Sequence, residues 1–200
     1  MSRFRQAISE GDGISVVPVL KGAVEDLAAL AEAAGAEAVA VDVADVERVR
    51  ASTSLAVLVR GGDPSEASAS GADAWIVPFS DEAEAAVARA RELDLDCAVE
   101  VRDEETLEEA LERVDPDIVL ISERGLDDDE EDLERTLDLL ADVPAGKLVI
   151  SEARVSAREQ VVALENAGVD AILVGAEVLQ GSADFASALA SSPAASRSSS

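Results

Sequence analysis

Hydrophobic and polar positions along this chain fall into a repeat: a short run of β-branched and small apolar residues, then a longer stretch with apolar residues at helical spacing. Apolar runs at 15–20, 38–42, 56–60, 74–78, 97–102, 118–122, 148–151 and 171–175 predict strands. The stretches 24–34, 43–51, 64–70, 82–93, 104–114, 130–141, 157–167 and 182–190 predict the helices that follow them. One strand stands out. In 97–102, Cys97, Val99 and Val101 alternate with Ala98, Glu100 and Arg102, so Glu100 sets a charge inside an otherwise apolar strand, just before a turn into a helix that opens at Asp103.

Three segments share one punctuation: AGAEAVAV from Ala34, SGADAWIV from Ser70 and AGVDAILV from Ala167. Each glycine (Gly35, Gly71, Gly168) is placed to close a helix in the left-handed conformation before a buried strand begins. Near-continuous apolar strands, each followed by a helix, predict a parallel sheet covered by helices. Eight such units predict closure into a compact α/β (β/α)8 barrel with short loops. An open doubly wound sheet is the alternative, but no GxGxxG follows the first strand to support a dinucleotide fold. The chain divides into a short amino-terminal segment 1–13, one barrel domain 14–190 and a low-complexity tail 191–200, expected to be disordered.

Charge narrows the function. Against 43 acidic residues stand 16 basic ones, a net charge of -27 with no basic patch, and aromatics make up 2%. Nucleic-acid binding is excluded on both counts. Such acidity suits a protein kept soluble by a hydrated carboxylate surface, as in a high-salt cytoplasm, although a GC-rich genome would bias composition in the same direction. The acid run at 127–132 reads as a loop leading to a helix start. No apolar run approaches the roughly 18 residues of a membrane span, and the polar start MSRFRQAISEGDG is no signal peptide, so a cytoplasmic protein is expected. Without histidine, Ser-His and Cys-His catalysis and histidine-ligated metals are impossible. Cys97 reads as a small buried apolar residue.

A barrel collects the side chains at the carboxyl ends of its strands, where such folds bind ligands. Here they are Lys21, Asp42, Arg60, Glu100 with Arg102, Ser122 with Glu123 and Arg124, Glu152 with Arg154, and Gly175 with Glu177. Glu100 is either a rim carboxylate paired with an arginine or a proton-handling group. Lys21 is one of two lysines in the chain; it is either a partner of Asp42 or a compact amine sharing a cleft with Glu100.

The segments DCAVEVRDEETLEEAL, DIVLISERGL, KLVISEARVS and AGVDAILVGAEVL resemble the second half of the indole-3-glycerol phosphate synthase family, (β/α)8 barrels of tryptophan biosynthesis. FRQAIS, ISVVPVLK and LAVLVRGGDP continue the resemblance upstream. It implies a carbon-carbon lyase that closes the indole ring of a carboxyphenylamino-deoxyribulose phosphate with loss of carbon dioxide and water, using no cofactor and no metal. The implied catalytic residues are Glu100 as general base, Lys21 as orienting or proton-donating group, and Arg60 at the family's general-acid lysine. Ser122, Arg124 and Glu152 are implied in substrate binding, and Arg154, Gly175 and Ala176 in phosphate binding. The chain departs from the family pattern at Val19, Arg60 and Ala153, so a degenerate barrel with changed or lost activity, acting as a binding or partner protein, is the alternative.

Overall fold

The computed structural model describes residues 2–10, 13–123, 132–155, 158–176 and 179. Its strands are β1 Ser15–Val19, β2 Ala38–Asp42, β3 Ala56–Arg60, β4 Ala74–Pro78, β5 Asp96–Val101, β6 Ile118–Ser122, β7 Leu148–Glu152 and β8 Ala171–Gly175. They pair in chain order, all parallel, and β8 returns to β1 to close the barrel. The expected (β/α)8 architecture is therefore the observed one. Helices α2 Val24–Ala33, α3 Val46–Arg50, α4 Pro64–Ser70, α5 Ala83–Glu92, α6 Glu104–Arg113, α7 Asp132–Ala141 and α8 Arg158–Ala167 cover it. No helix among the described residues is long and apolar enough to cross a membrane.

Four strand boundaries shift by a residue. Leu20 and Arg102 lie beyond β1 and β5, β5 begins at Asp96, and β7 continues to Glu152. The expected helix at 43–51 opens as a 3-10 turn, Val43–Asp45, before α3. The expected helix at 182–190, the tail and most of the 127–132 acid run lie outside the described residues.

The repeated punctuation has one geometry. Gly35, Gly71 and Gly168 have φ of 84, 90 and 103°. The next amide reaches back over each helix end: Ala36 donates to the Ala31 carbonyl at 3.0 Å, Ala72 to Ala67 at 3.1 Å and Val169 to Leu164 at 3.0 Å. This turns the chain sharply from helix to strand and satisfies terminal carbonyls. A Cβ on Gly168 would meet nothing within 4 Å, so backbone strain alone sets the cost of adding one. Gly168→Ala is expected to destabilise the fold by about 1 kcal/mol in urea unfolding; an unchanged midpoint would contradict this account.

Side chains alternate across each strand, which decides what enters the barrel. Val17, Ala40, Leu58, Ile76, Ala98, Leu120, Ile150 and Leu173, one from each strand, form the interior cluster. Val39, Val57, Trp75, Val99, Val119 and Val149 face the other way, into the cluster shared with the helices. Cys97 is also on that side. Burial pushes its thiol up to about 12, so it is protonated at neutral pH and packs as a small side chain.

The segment before β1 is helical: α1 Arg3–Ser9 sends Phe4 and Ile8, one turn apart and both buried, into the interior cluster. Asp96, at the start of β5, accepts from the Arg5 amide at 3.3 Å and from the Ser2 hydroxyl, fixing this helix across the amino end of the barrel. That end is closed, which leaves the carboxyl end for ligands.

Candidate active site

Two positions beyond each interior residue, the last inward side chains of the strands form a ring: Val19, Asp42, Arg60, Pro78, Glu100, Ser122, Glu152 and Gly175. Four of them join in one network. Arg60 donates through Nη1 to Glu100 Oε2 at 2.9 Å and through Nη2 to Glu152 Oε2 at 2.7 Å. The Ser122 hydroxyl donates to the same Glu152 oxygen at 2.7 Å. Arg102, just past β5, donates to Glu100 Oε1 at 3.0 Å. The Glu100 side chain is 2% exposed and that of Glu152 is 14% exposed. A carboxylate so buried persists as an ion only when paired and hydrogen-bonded, and the two guanidinium groups supply both conditions.

A cavity of about 920 Å³ opens beside this network, in the size range of small-molecule sites. Its wall includes Lys21, Asp42, Arg60, Glu123, Glu152 and Arg154, with Gly175 and Ala176 on the β8 side. Three of those residues are basic and three acidic, so the formal charge of the wall balances although the whole chain carries -27. Glu100 is not part of the wall; Arg60 touches both the cavity and Glu100.

The residues named from sequence thus divide. Arg60, Glu100, Ser122 and Glu152 meet directly. Lys21, Arg154, Gly175 and Ala176 share the cavity, whereas Arg124 lies outside the described residues. Lys21 is exposed and forms no ion pair with Asp42 among the described residues. Two partners were given no role from sequence. Arg102 holds the far oxygen of Glu100, and Glu123, 3% exposed, accepts from the Thr136 hydroxyl at 2.9 Å and from Arg135 at 3.3 Å, tying the end of β6 to α7. Ser151 accepts from the Ala153 amide at 3.2 Å, so this N–H already has a partner within the β7 turn.

The family model for indole-3-glycerol phosphate synthase matches residues 64–191, the part of the chain that includes Glu100, Ser122 and Glu152. The chain belongs to the indole-3-glycerol phosphate synthase family. An indole-3-glycerol phosphate synthase from Verminephrobacter eiseniae is 40% identical over 154 residues, 72% of this chain and 57% of that relative. One from Acidithiobacillus ferrooxidans is 40% identical over 114 residues, 55% of this chain and 43% of its own length. The chain therefore spans about half the length of the curated relatives it matches. Among solved structures, a thiamine phosphate pyrophosphorylase from Pyrococcus furiosus aligns with TM-score 0.66 at 21% identity, over 88% of this chain and 92% of its own. A mutant tryptophan synthase alpha-subunit from the same organism aligns with TM-score 0.63 at 20% identity, over 84% of this chain and 89% of its own. Those two likenesses show the barrel alone. In this chain the ring of inward residues sets an acid on β5 and on β7 and an arginine on β3.

Proposed function

We propose that the chain is an indole-3-glycerol phosphate synthase-like lyase acting on a small phosphorylated substrate at the carboxyl end of the barrel. The observation that carries this reading is the Arg60 bridge between Glu100 and Glu152 beside the 920 Å³ cavity, in a chain that belongs to the family. Arg60 is a fixed positive charge facing the site, suited to stabilising the negative charge that develops as the ring closes. Lys21, on the cavity wall, orients the substrate carboxylate or donates a proton. The proton acceptor is one of the two carboxylates that Arg60 bridges. Arg154 with the backbone at Gly175 and Ala176 forms the phosphate end. The balanced charge of the wall supports an anionic ligand, and salt screens the acidic surface beyond about 10 Å at 0.1 M. A cytoplasmic location accords with this reading.

Incubation with the carboxyphenylamino-deoxyribulose phosphate at low and high salt, followed by indole fluorescence, tests it. Product is expected above a control in which both Glu100 and Glu152 are glutamine; no difference from that control sinks the reading. Binding without turnover is the second reading. It is favoured by the guanidinium at position 60, a group that does not release its proton near neutral pH. Capture of the phosphate ester with no fluorescence would support it.

A further inference from the structure

A carboxylate that takes a proton from a ligand needs an oxygen that the ligand can reach and that no fixed cation already holds. The two candidates differ on both points. Glu100 has each oxygen engaged by a different guanidinium, Oε2 by Arg60 at 2.9 Å and Oε1 by Arg102 at 3.0 Å, and it does not line the cavity. Glu152 lines the cavity and takes both of its hydrogen bonds, from Arg60 and Ser122, on Oε2. Its Oε1 accepts none among the described residues.

We infer that Glu152, rather than Glu100, is the carboxylate that exchanges protons with the ligand in this site. The chemistry assigned to that exchange rests on the lyase reading above. In the step that loses water, a ring C–H bond breaks and its proton passes to Glu152 Oε1, while its electron pair becomes the ring double bond. The carbon–oxygen bond breaks in turn, and the hydroxyl leaves as water with a proton delivered by Lys21. Solvent in the cavity then returns a proton from Glu152 to Lys21, so the site ends as it began. Glu100 in this arrangement is a positioning residue: through Arg60 it holds the guanidinium that in turn fixes Oε2 of Glu152, leaving Oε1 for the ligand.

Two measurements decide the matter. The first uses the unaltered protein: a water-soluble carbodiimide with glycinamide labels accessible carboxyl groups, and trypsin releases residues 148–154, LVISEAR, in which Glu152 is the sole carboxyl side chain. Glu152 is expected to label at least tenfold faster than Glu100, read in the peptide 92–102. Equal rates, or Glu100 labelling first, overturn the inference. The second is kinetic. Glu152→Gln is expected to lower kcat/KM at least 100-fold and to abolish the acidic limb of the pH–rate profile. Glu100→Gln keeps that limb and falls less than tenfold, and the opposite order overturns the inference. If the unaltered protein forms no indole, the lyase reading has failed, and the labelling ratio still decides which carboxylate faces the ligand.

Discussion

Replacing Arg60 with alanine is expected to lower the unfolding free energy by about 3 kcal/mol, read as a shift of the urea midpoint. Arg60 is the shared partner of two carboxylates, one of them on a side chain only 2% exposed. Among the described residues, removing it leaves Glu100 with Arg102 alone and Glu152 with only the Ser122 hydroxyl. The penalty is that of buried charge left short of compensation, not the loss of an attractive contact. An exposed pair gives the contrast: Arg89 and Glu92, 52% and 67% exposed, are 2.8 Å apart, yet Arg89→Ala should cost under about 0.5 kcal/mol because water and salt screen the pair. The decisive companion is a double variant, Arg60→Leu with Glu100→Gln, which removes a buried ion together with its counter-ion. It is expected to recover most of the lost stability, since paired removal of buried charge is close to neutral. A double variant as unstable as Arg60→Ala would show that the arginine acts through packing, not charge.

Much of this site was legible because strand parity is simple. Once the runs ending at Arg60, Ser122 and Gly175 are placed as strands, alternation alone says which side chains enter the barrel, and the terminal inward ones are the candidates. Which of them touch was not legible. Arg60 and Glu100 are 40 residues apart on strands separated by β4, and only barrel closure and the stagger of the strands bring them together. The contact that Arg102 makes was not legible for a related reason. This residue belongs to the turn after β5, where alternation no longer predicts direction, and it folds back to the oxygen that Arg60 leaves open. The helix before β1 was hidden by its polar composition, although Phe4 and Ile8 at helical spacing carried the signal. The echoed segments held a second message beyond their glycines: the acid two residues after Gly71 and Gly168. Asp73 and Asp170 accept the amides of Val57 and Val149, at 2.8 and 2.7 Å, near the starts of neighbouring strands. Sequence displays such a repeated acid but not its partner, because the partner lies across the sheet.

Arg60→Lys is expected to change activity and stability in opposite directions. Lysine shortens the side chain and replaces a planar fork, which satisfies Glu100 and Glu152 through separate nitrogens, with a single ammonium. The bridge weakens, and a loss of about 1 kcal/mol in unfolding free energy follows, smaller than for alanine because the charge remains. The ammonium, however, is a far stronger acid than a guanidinium and can pass a proton to a base that develops in the transition state, and a well-placed general acid is worth about 10²–10⁴ in rate. By resemblance, the synthase family places a lysine at this position of its third strand. Indole formation is therefore expected to rise at least about tenfold in the Lys variant, followed by fluorescence at saturating substrate. An unspecific loosening of the barrel mouth would lower both quantities, and a merely structural arginine would leave turnover where it was. A less stable protein that turns over faster is the outcome that separates these cases. It would mean that the arginine on β3 holds two carboxylates in place at the expense of the proton that the proposed ring-closing chemistry needs.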